Sequence, residues 1–508
     1  ERGHSIGFKD LGAGGIACVT SELADAGGFG VKIDLDAVNT AAGHVYPPAV
    51  VSCSETQERY ALAVPEEFVP EVLRIYNEEF ELPRLYHGAG AVVIAEVTRE
   101  RMYRIESGGE PVCEAPIEVI TTGISYDRPK APRRAARKEP DRSAERPLRE
   151  DFLRLLAAPN IASKNFVFKH YDSEVQGRAV LRPGEADAGV IAPLPGRSVG
   201  LAFAVDGNPW YGQLDPYLGG ALAVCEAARN VAAVGGAPSA ITDCLNYGNP
   251  EVPEVFWEFV QGVRGIGDAC RGIGLLSHPG HPLPVVSGNV SFYNQGGSGR
   301  AVPPSPIVCC VGVIEDYSRS RSLTFKDEGD ELFLVGEPRD ELGGSEYYRV
   351  IFGALGARAP EADFIRERRQ IAAIIEMHRR GWIRACHDTG QGGLLTALAE
   401  MALGPNGGGA LGLALDLGVF ADCGLAPETI LFSETGAFVV EVPAGIEREI
   451  LALCARNRVA LRRLGVLRRP RRLTVTSGGA VLGDWTLEEL GRAYLTGCRD
   501  IFGIGEGA

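Results

Sequence analysis

The feature that most constrains this chain is an internal repeat. Near the start stands DLGAGG, opening at Asp10, followed by a helical stretch that carries Glu22. Further on stands DTGQGG, opening at Asp388, followed by a helical stretch that carries Glu400. Aspartate and glutamate lie 12 residues apart in both copies (22 − 10 and 400 − 388). Downstream the first copy has Ser54-Glu55-Thr56 and the second Ser433-Glu434-Thr435, at 45 and 46 residues beyond the aspartate (55 − 10 and 434 − 388). Three matches in register imply one supersecondary unit used twice, about 378 residues apart (388 − 10).

The chemistry of each copy fits a phosphate-bearing ligand. A Gly-rich turn lets the backbone approach closely, and the N-terminus of the following helix offers free N–H groups to an anion. An aspartate at the strand end can hold Mg²⁺, which takes oxygen ligands and bridges to phosphates. The plainer alternative is a strand-to-helix turn with no ligand.

Composition narrows the class. A chain of 508 residues, 45% apolar and 23% charged, has room for several globular domains. The 65 glycines exceed the usual share and fit many tight turns or close approaches to ligands. A net charge of −15 argues against a nucleic-acid partner, which would need a basic face. The 12 cysteines are scattered without a Cys-x-x-Cys, which reads as reduced thiols. With no signal peptide and no long apolar run, the expectation is a cytoplasmic protein without a membrane partner.

Residues 128–149 are rich in Arg and Lys and carry four prolines, so they read as a solvated linker or exposed loop. The division expected is residues 1–127, the linker 128–149, then 150–325 and 326–508. Strands are expected at Ser5–Phe8, Ala91–Val97, Val199–Val205, Ser239–Leu245, Pro284–Val286, Pro306–Ile314 and Glu331–Val335. Helices are expected at Leu218–Val234, from Pro250 to about Ala269, and near Phe364–Arg380; Ile16, Val19 and Leu23 share one helix face. The mixture gives an α/β (α+β) class.

The middle block adds polar groups at strand ends. TDCLNYGNP, with Asp243, is read as following one strand and opening a helix; SGNVS, with Gly288, Asn289 and Ser291, as following another. Taken singly these are a cap and a tight turn. Asp187 stands in Ala-Asp-Ala, and Glu226 and Asn230 are spaced i, i+4 on an alanine-rich helix, where the pair needs a metal or a hydrogen-bonding strand.

The strings DLGAGGIACVTSELADAGGFG, SETQER, EAARNVAAVGGAP, TDCLNYGNPEVPEVFW, VVSGNVSFYN, HDTGQGGLLTALAEMA and LFSETG resemble the synthetase subunit of formylglycinamide ribonucleotide amidotransferases (phosphoribosylformylglycinamidine synthases). The likeness runs from about residue 5 to the C-terminus, the linker excepted. The resemblance implies a duplicated aminoimidazole ribonucleotide synthetase-like fold. Residues 1–127 would be the C-terminal-type domain of the first copy, 150–325 the barrel-forming N-terminal-type domain of the second, and 326–508 its C-terminal-type domain.

It also implies a ligase that uses ATP and Mg²⁺ to turn formylglycinamide ribonucleotide into its amidine with ammonia from glutamine, in purine biosynthesis. By matching, Asp10 and Asn289 are implied Mg²⁺ ligands, Glu55, Thr56, Gln57 and Ser291 substrate contacts, and Asp243 and Gly288 ATP contacts. Thr56 replaces a more usual serine and keeps the hydroxyl. Asp187, Glu226, Asn230 and Asp388 match the Mg²⁺ ligands of a second, structural ADP site; Glu434 is matched by repeat position alone. The family's catalytic histidines belong to a first domain not matched here, so no catalytic residue is assigned and this chain is expected not to catalyse alone. A separate glutaminase subunit and a small accessory subunit are the implied partners. Other readings are a different ATP-dependent synthetase of the superfamily and a non-catalytic nucleotide-binding scaffold.

Overall fold

A computed structural model describes residues 6–41, 44–123, 126–133, 137–144, 146–498 and 502. The chain divides into two units, Glu1–Asp127 and Arg128–Ala508.

The first unit runs β1 (Gly7–Asp10), α1 (Gly15–Ala26), β2 (Gly30–Asp34), α2 (Pro48–Cys53), β3 (Tyr60–Ala63), α3 (Val69–Arg74), β4 (Ala95–Thr98), β5 (Met102–Ser107), β6 (Glu110–Pro116) and α4 (Ile117–Thr122). Strand β1 pairs antiparallel with β3, and a second sheet has the order β4-β2-β5-β6. Ile16 and Val19 of α1 pack with Ile33, Ile105 and Ile117, and Leu23 lies at the margin of this core. Each fully buried aliphatic side chain contributes about 1.5–3 kcal/mol. The strand expected from Ala91 begins only at Ala95, and of the strand expected from Ser5, Ser5 itself lies outside the described residues.

The second unit opens with α5 (Leu148–Leu156), α6 (Asn165–Phe168), β7 (Ala179–Leu181), β8 (Gly189–Ile191), β9 (Gly200–Asp206), α7 (Pro209–Leu214), α8 (Pro216–Ala233), β10 (Ala237–Asn246), α9 (Pro253–Ile273), β11 (Val285–Ser291) and β12 (Ser305–Ile314). The strands form one sheet, β11-β10-β12-β9-β8-β7, with β11 at an edge and parallel to β10. Helix α8 is buried almost all round between this sheet and α9, as its alanine content allows. The strand expected at Ser239–Leu245 lies within β10, so TDCLN is part of that strand and does not follow it. Two expectations fail here. β11 runs on through SGNVS instead of ending before it, and α9 starts at Pro253, not Pro250, with Pro253 in the first helical turn.

The unit continues with β13 (Glu331–Val335), α10 (Glu346–Phe352), α11 (Phe364–Arg379), β14 (Ala385–Asp388), α12 (Gly393–Leu403), β15 (Leu413–Asp416), α13 (Pro427–Phe432), β16 (Phe438–Val442), α14 (Glu447–Asn457), β17 (Leu461–Val466), β18 (Arg472–Ser477), β19 (Ala480–Thr486) and α15 (Leu487–Thr496). The sheets are β14-β16-β13-β17 and β15-β18-β19. All five residues of β16 are buried, including Glu441, whose carboxylate accepts the backbone N–H groups of Lys326 and Asp327 at 2.9–3.0 Å. No described helix is long and apolar enough to cross a membrane.

The repeat is visible in register. Asp10 lies opposite Tyr60 as Asp388 lies opposite Phe438, and both offsets are 378 (388 − 10 and 438 − 60). β2 pairs parallel with β5 as β15 does with β18, and each following hairpin carries an irregularity, at Ile105/Glu106 and at Val475/Thr476. Among the described residues the first unit holds no counterpart of β13, α10 or α11.

The basic segment is not simply solvated. Arg133 pairs with Glu258 at 3.0 Å, Arg146 with Asp151 at 2.6 Å, and Arg142 donates to Thr429 at 3.0 Å. These charges are paired within the second unit, of which the segment is the start.

Candidate nucleotide and metal site

The turn after β14 shows why its sequence is Asp-Thr-Gly-Gln-Gly-Gly. Gly392 and Gly393 take φ of 83° and 71°, the left-handed region that disfavours side chains. A Cβ on Gly393 would lie 2.8 Å from the carbonyl oxygen of Ser433, so the turn and the Ser-Glu-Thr segment meet backbone to backbone. No local side chain caps α12; instead Gly392 N donates to Oε1 of Glu434 at 2.8 Å, a cap supplied from 42 residues away. The first copy repeats this. Gly14 and Gly15 have φ of 73° and 57°, and Gly14 N donates to Oε1 of Glu55 at 3.3 Å. In both copies the flanking hydroxyls bond each other at 2.9 Å, Ser54 to Thr56 and Ser433 to Thr435. Gln57 turns its amide to the Glu55 carbonyl at 2.9 Å.

The copies differ in exposure. Asp10, Glu55, Thr56 and Gln57 are exposed, whereas Asp388, Glu434 and Thr435 are buried. Both Glu434 oxygens are used, Oε1 by Gly392 N and by Glu346 N at 2.9 Å, and Oε2 by the Tyr211 hydroxyl at 2.5 Å.

Around Asp388 gathers an acidic cluster. Asp187 accepts Asp388 N through Oδ2 at 2.8 Å and holds His387 Nδ1 against Oδ1 at 2.6 Å. His387 Nε2 meets Glu400 at 2.9 Å, as Lys9 pairs with Glu22 in the first copy. The two carboxylates raise the pKa of His387 well above its ordinary value despite burial, so the imidazolium bridges them. From α8, Asn230 Nδ2 donates to Asp206 Oδ2 at 2.9 Å, and Arg229 reaches Asp388 Oδ2 at 3.4 Å and Glu367 Oε1 at 3.0 Å. A Cβ on Gly390 would lie 2.8 Å from Oε1 of Glu226 and 3.3 Å from Oδ1 of Asp388, which places Glu226 over the turn.

Burial, followed by the neighbouring carboxylate charge, raises Asp206 to about 7 and Glu226 well above its ordinary value; burial likewise raises Asp388 to about 6, although Arg229 opposes it. Asn230 Oδ1 is buried with no donor. Asp187, His387 and Asp388 offer ligand atoms within 4.8 Å of one another, but His387 is already engaged by two carboxylates. Carboxylate oxygens plus an orphaned carbonyl oxygen form the hard donor set that suits Mg²⁺. Asp187, Glu226, Asn230 and Asp388 thus come together as expected. Asp206, Arg229 and His387 were not singled out from the sequence; the signal available was their position beside Asn230 and Asp388 or at a strand end.

The central-block residues share one place on the sheet edge. Asp243 lies opposite Gly288, Cys244 opposite Asn289 and Asn246 opposite Ser291. A Cβ on Gly288 would lie 2.3 Å from Oδ1 of Asp243, so the carboxylate folds across the glycine; partial burial raises its pKa. Gly288 and Asn289 are exposed on β11.

Comparison with known proteins matches this arrangement twice over. Residues 185–314 match the model for AIR synthase related protein, N-terminal domain, and both 2–106 and 327–478 match that for the C-terminal domain. The chain belongs to the AIR synthase related family. The doubled C-terminal match covers the repeat seen in β1–β5 and β14–β18. Within the family the chain is 45% identical over 500 residues to phosphoribosylformylglycinamidine synthase subunit PurL of Methanothrix thermoacetophila, covering 98% of this chain and 64% of the relative. It is 39% identical over 472 residues to PurL of Streptomyces avermitilis, covering 91% and 59%. The chain therefore spans about two thirds or less of the length of these relatives. Among solved structures, Thermotoga maritima PurL complexed with ATP aligns with TM-score 0.58 at 22% identity, over 91% of this chain and 63% of that one. The structure of PurLQS from T. maritima gives 0.59 at 23%, over 91% and 64%. These place the fold as the duplicated AIR synthase related α/β architecture.

Proposed function

We propose that this chain serves the ATP-dependent conversion of formylglycinamide ribonucleotide to formylglycinamidine ribonucleotide, a C–N ligation in cytoplasmic purine biosynthesis. The observation that carries the reading is the oxygen-donor cluster of Asp187, Asp206, Glu226, Asn230 and Asp388, set against a Gly-rich turn and the N-terminus of α12. The identity to PurL relatives supports this reading of the reaction. In it the amide oxygen takes the γ-phosphoryl group of ATP, ammonia adds to the carbon, and phosphate leaves to give the amidine and ADP. Mg²⁺, when bound, neutralises the phosphate charge.

The chain's own residues bind and orient. In the first unit, Asp10 supplies a metal oxygen and Glu55, Thr56 and Gln57 contact the ribonucleotide; exposure of that copy leaves these groups open to a ligand. By the same matching, Asp243 and Gly288 contact ATP, Asn289 supplies a metal oxygen and Ser291 a substrate contact. In the second unit, Asp187, Glu226, Asn230 and Asp388 hold the metal of a second nucleotide, ADP. Ammonia comes from a separate glutaminase subunit, with a small accessory subunit, a reading supported by the multi-subunit PurLQS relative.

One observation favours a structural role for the second nucleotide. Both oxygens of Glu434 are spent inside the protein, so this copy has no free counterpart of Glu55 for substrate.

Equilibrium dialysis of the full chain tests both parts. Mg-ADP should bind the wild type and be lost in Asp388→Ala, and formylglycinamide ribonucleotide should bind the wild type and be lost in Glu55→Gln. Nucleotide binding indifferent to Asp388→Ala would overturn the nucleotide assignment. Failure of the wild type to bind the ribonucleotide would overturn the substrate.

A further inference from the structure

The C-terminal end of β13 opens on a cleft of about 390 Å³ bounded by the first two turns of α11. Four arginines line it, Arg339, Arg366, Arg369 and Arg458, against the two carboxylates Glu337 and Asp363. Asp363 is already committed, since its side chain caps α11 by accepting Arg366 N at 3.0 Å. Arg339 has only long ion pairs, 3.4 Å to Glu361 and 4.0 Å to Asp363. Arg369 and Arg458 form no ion pair or side-chain hydrogen bond among the described residues.

Arg366 is the telling group. Its Nη2 donates to the Glu361 carbonyl at 3.4 Å, while Nε and Nη1 are shielded from solvent and have no acceptor. Beside it Gln370, 1% exposed, lines the same cleft, and its Oε1 has no donor. Shielded donors on a cation and a shielded acceptor, all unsatisfied, cost free energy that nothing in the protein returns. A single ligand satisfies both deficits if the two side chains turn toward it and it brings several anionic oxygens for the guanidinium groups and one O–H for Gln370.

We propose that this cleft binds a phosphate or diphosphate group. Its oxygens accept from Arg366, Arg369, Arg339 and Arg458, and a protonated P–OH donates to Gln370 Oε1. Guanidinium forks suit phosphate geometry, and the N-terminal end of the 16-residue α11 adds its dipole. The site differs from the acidic cluster, although the two share a helix: Glu367, next to Arg366, accepts Arg229, which bonds Asp388.

Calorimetric titration of the full chain in Mg²⁺-free buffer, with inorganic pyrophosphate, ADP and sulfate as separate arms, tests the proposal. Pyrophosphate should bind saturably at one site and weaken by about tenfold or more in Arg366→Ala, Arg369→Ala and Arg458→Asn. It should be unchanged in Asp388→Asn. Sulfate, which carries no O–H at neutral pH, should compete poorly. ADP that binds Asp388→Asn but not Arg369→Ala would show that the diphosphate is carried by a nucleotide; pyrophosphate binding without ADP binding would show a free anion. Arg369 and Arg458 make no side-chain pair among the described residues, and asparagine tolerates the left-handed backbone of residue 458, so these variants test the site even if Arg366→Ala does not fold. Absence of saturable binding, equal affinity in the arginine variants, loss of binding in Asp388→Asn, or sulfate binding as tightly as pyrophosphate would each overturn it.

Discussion

The hydroxyl of Tyr211 donates to Oε2 of Glu434 at 2.5 Å, between two side chains buried from solvent and 223 residues apart in the chain. The carboxylate so held also caps α12 and receives the first N–H of α10. One side chain therefore ties three helices, α7, α10 and α12, to the segment before β16.

Tyr211→Phe should cost about 1–3 kcal/mol, because it leaves one buried carboxylate oxygen without a donor. In a Glu434→Gln background the loss should be smaller, since the group left behind is neutral. Urea midpoints of the four proteins in this cycle measure the coupling, and equal losses in both backgrounds would refute it.

The acidic cluster should make metal-free stability fall as pH rises. Asp206 is raised from 3.8 to about 7 and Asp388 from 3.8 to about 6. Between the unfolded and folded values of these two groups the native state holds the extra protons, so their contribution is greatest at the acid end and is lost between about pH 4 and 7. Asp206→Asn should flatten this decline, removing up to about 1.4 kcal/mol of it per pH interval of one between those values. Mg²⁺ should raise the melting temperature more at pH 8 than at pH 5. Thermal scans across that range decide it; a slope unchanged by Asp206→Asn is the adverse result.

Gly288→Ala forces the Asp243 carboxylate away, because the added methyl would sit 2.3 Å from Oδ1. The expected cost is about 1–3 kcal/mol. Removing that carboxylate should relieve it, so Asp243→Ala/Gly288→Ala should melt above Gly288→Ala. A double variant that melts no higher would place the strain elsewhere.

Arg229→Met should cost about 3–5 kcal/mol, because Glu367 and Asp388 would remain buried without their cation. Denaturant titration gives the value, and a loss under about 1 kcal/mol would mean that the pair is nearly neutral in balance.

The repeat was legible in the sequence because its geometry admits few residues: the consecutive left-handed positions at Gly392 and Gly393 and the close approach to Ser433 leave only glycine. The need of Glu226 and Asn230 for company was legible from an alanine-rich α8. Their company was not, because Asp206 and Asp388 come from other strands, 24 and 158 residues from Asn230 (230 − 206 and 388 − 230), and no local period encodes such pairing. The course of β11 was illegible for a different reason. As an exposed edge strand it buries neither face over most of its length, so Ser287-Gly288-Asn289 carries no alternation and reads as a turn. Pro250 misled because Pro253 is equally suited to start a helix, and only packing chooses between them.

The shared register of the two strand–turn–helix units gives this polypeptide an internal control. Gly14 and Gly392 adopt the same backbone, each donate an N–H to a remote glutamate (Glu55 and Glu434) and precede helices of similar length, yet Asp10 and Glu55 are exposed and Asp388 and Glu434 buried. A matched substitution in each places one perturbation in two dielectric settings within a single molecule, and the difference between the two responses isolates what burial alone contributes.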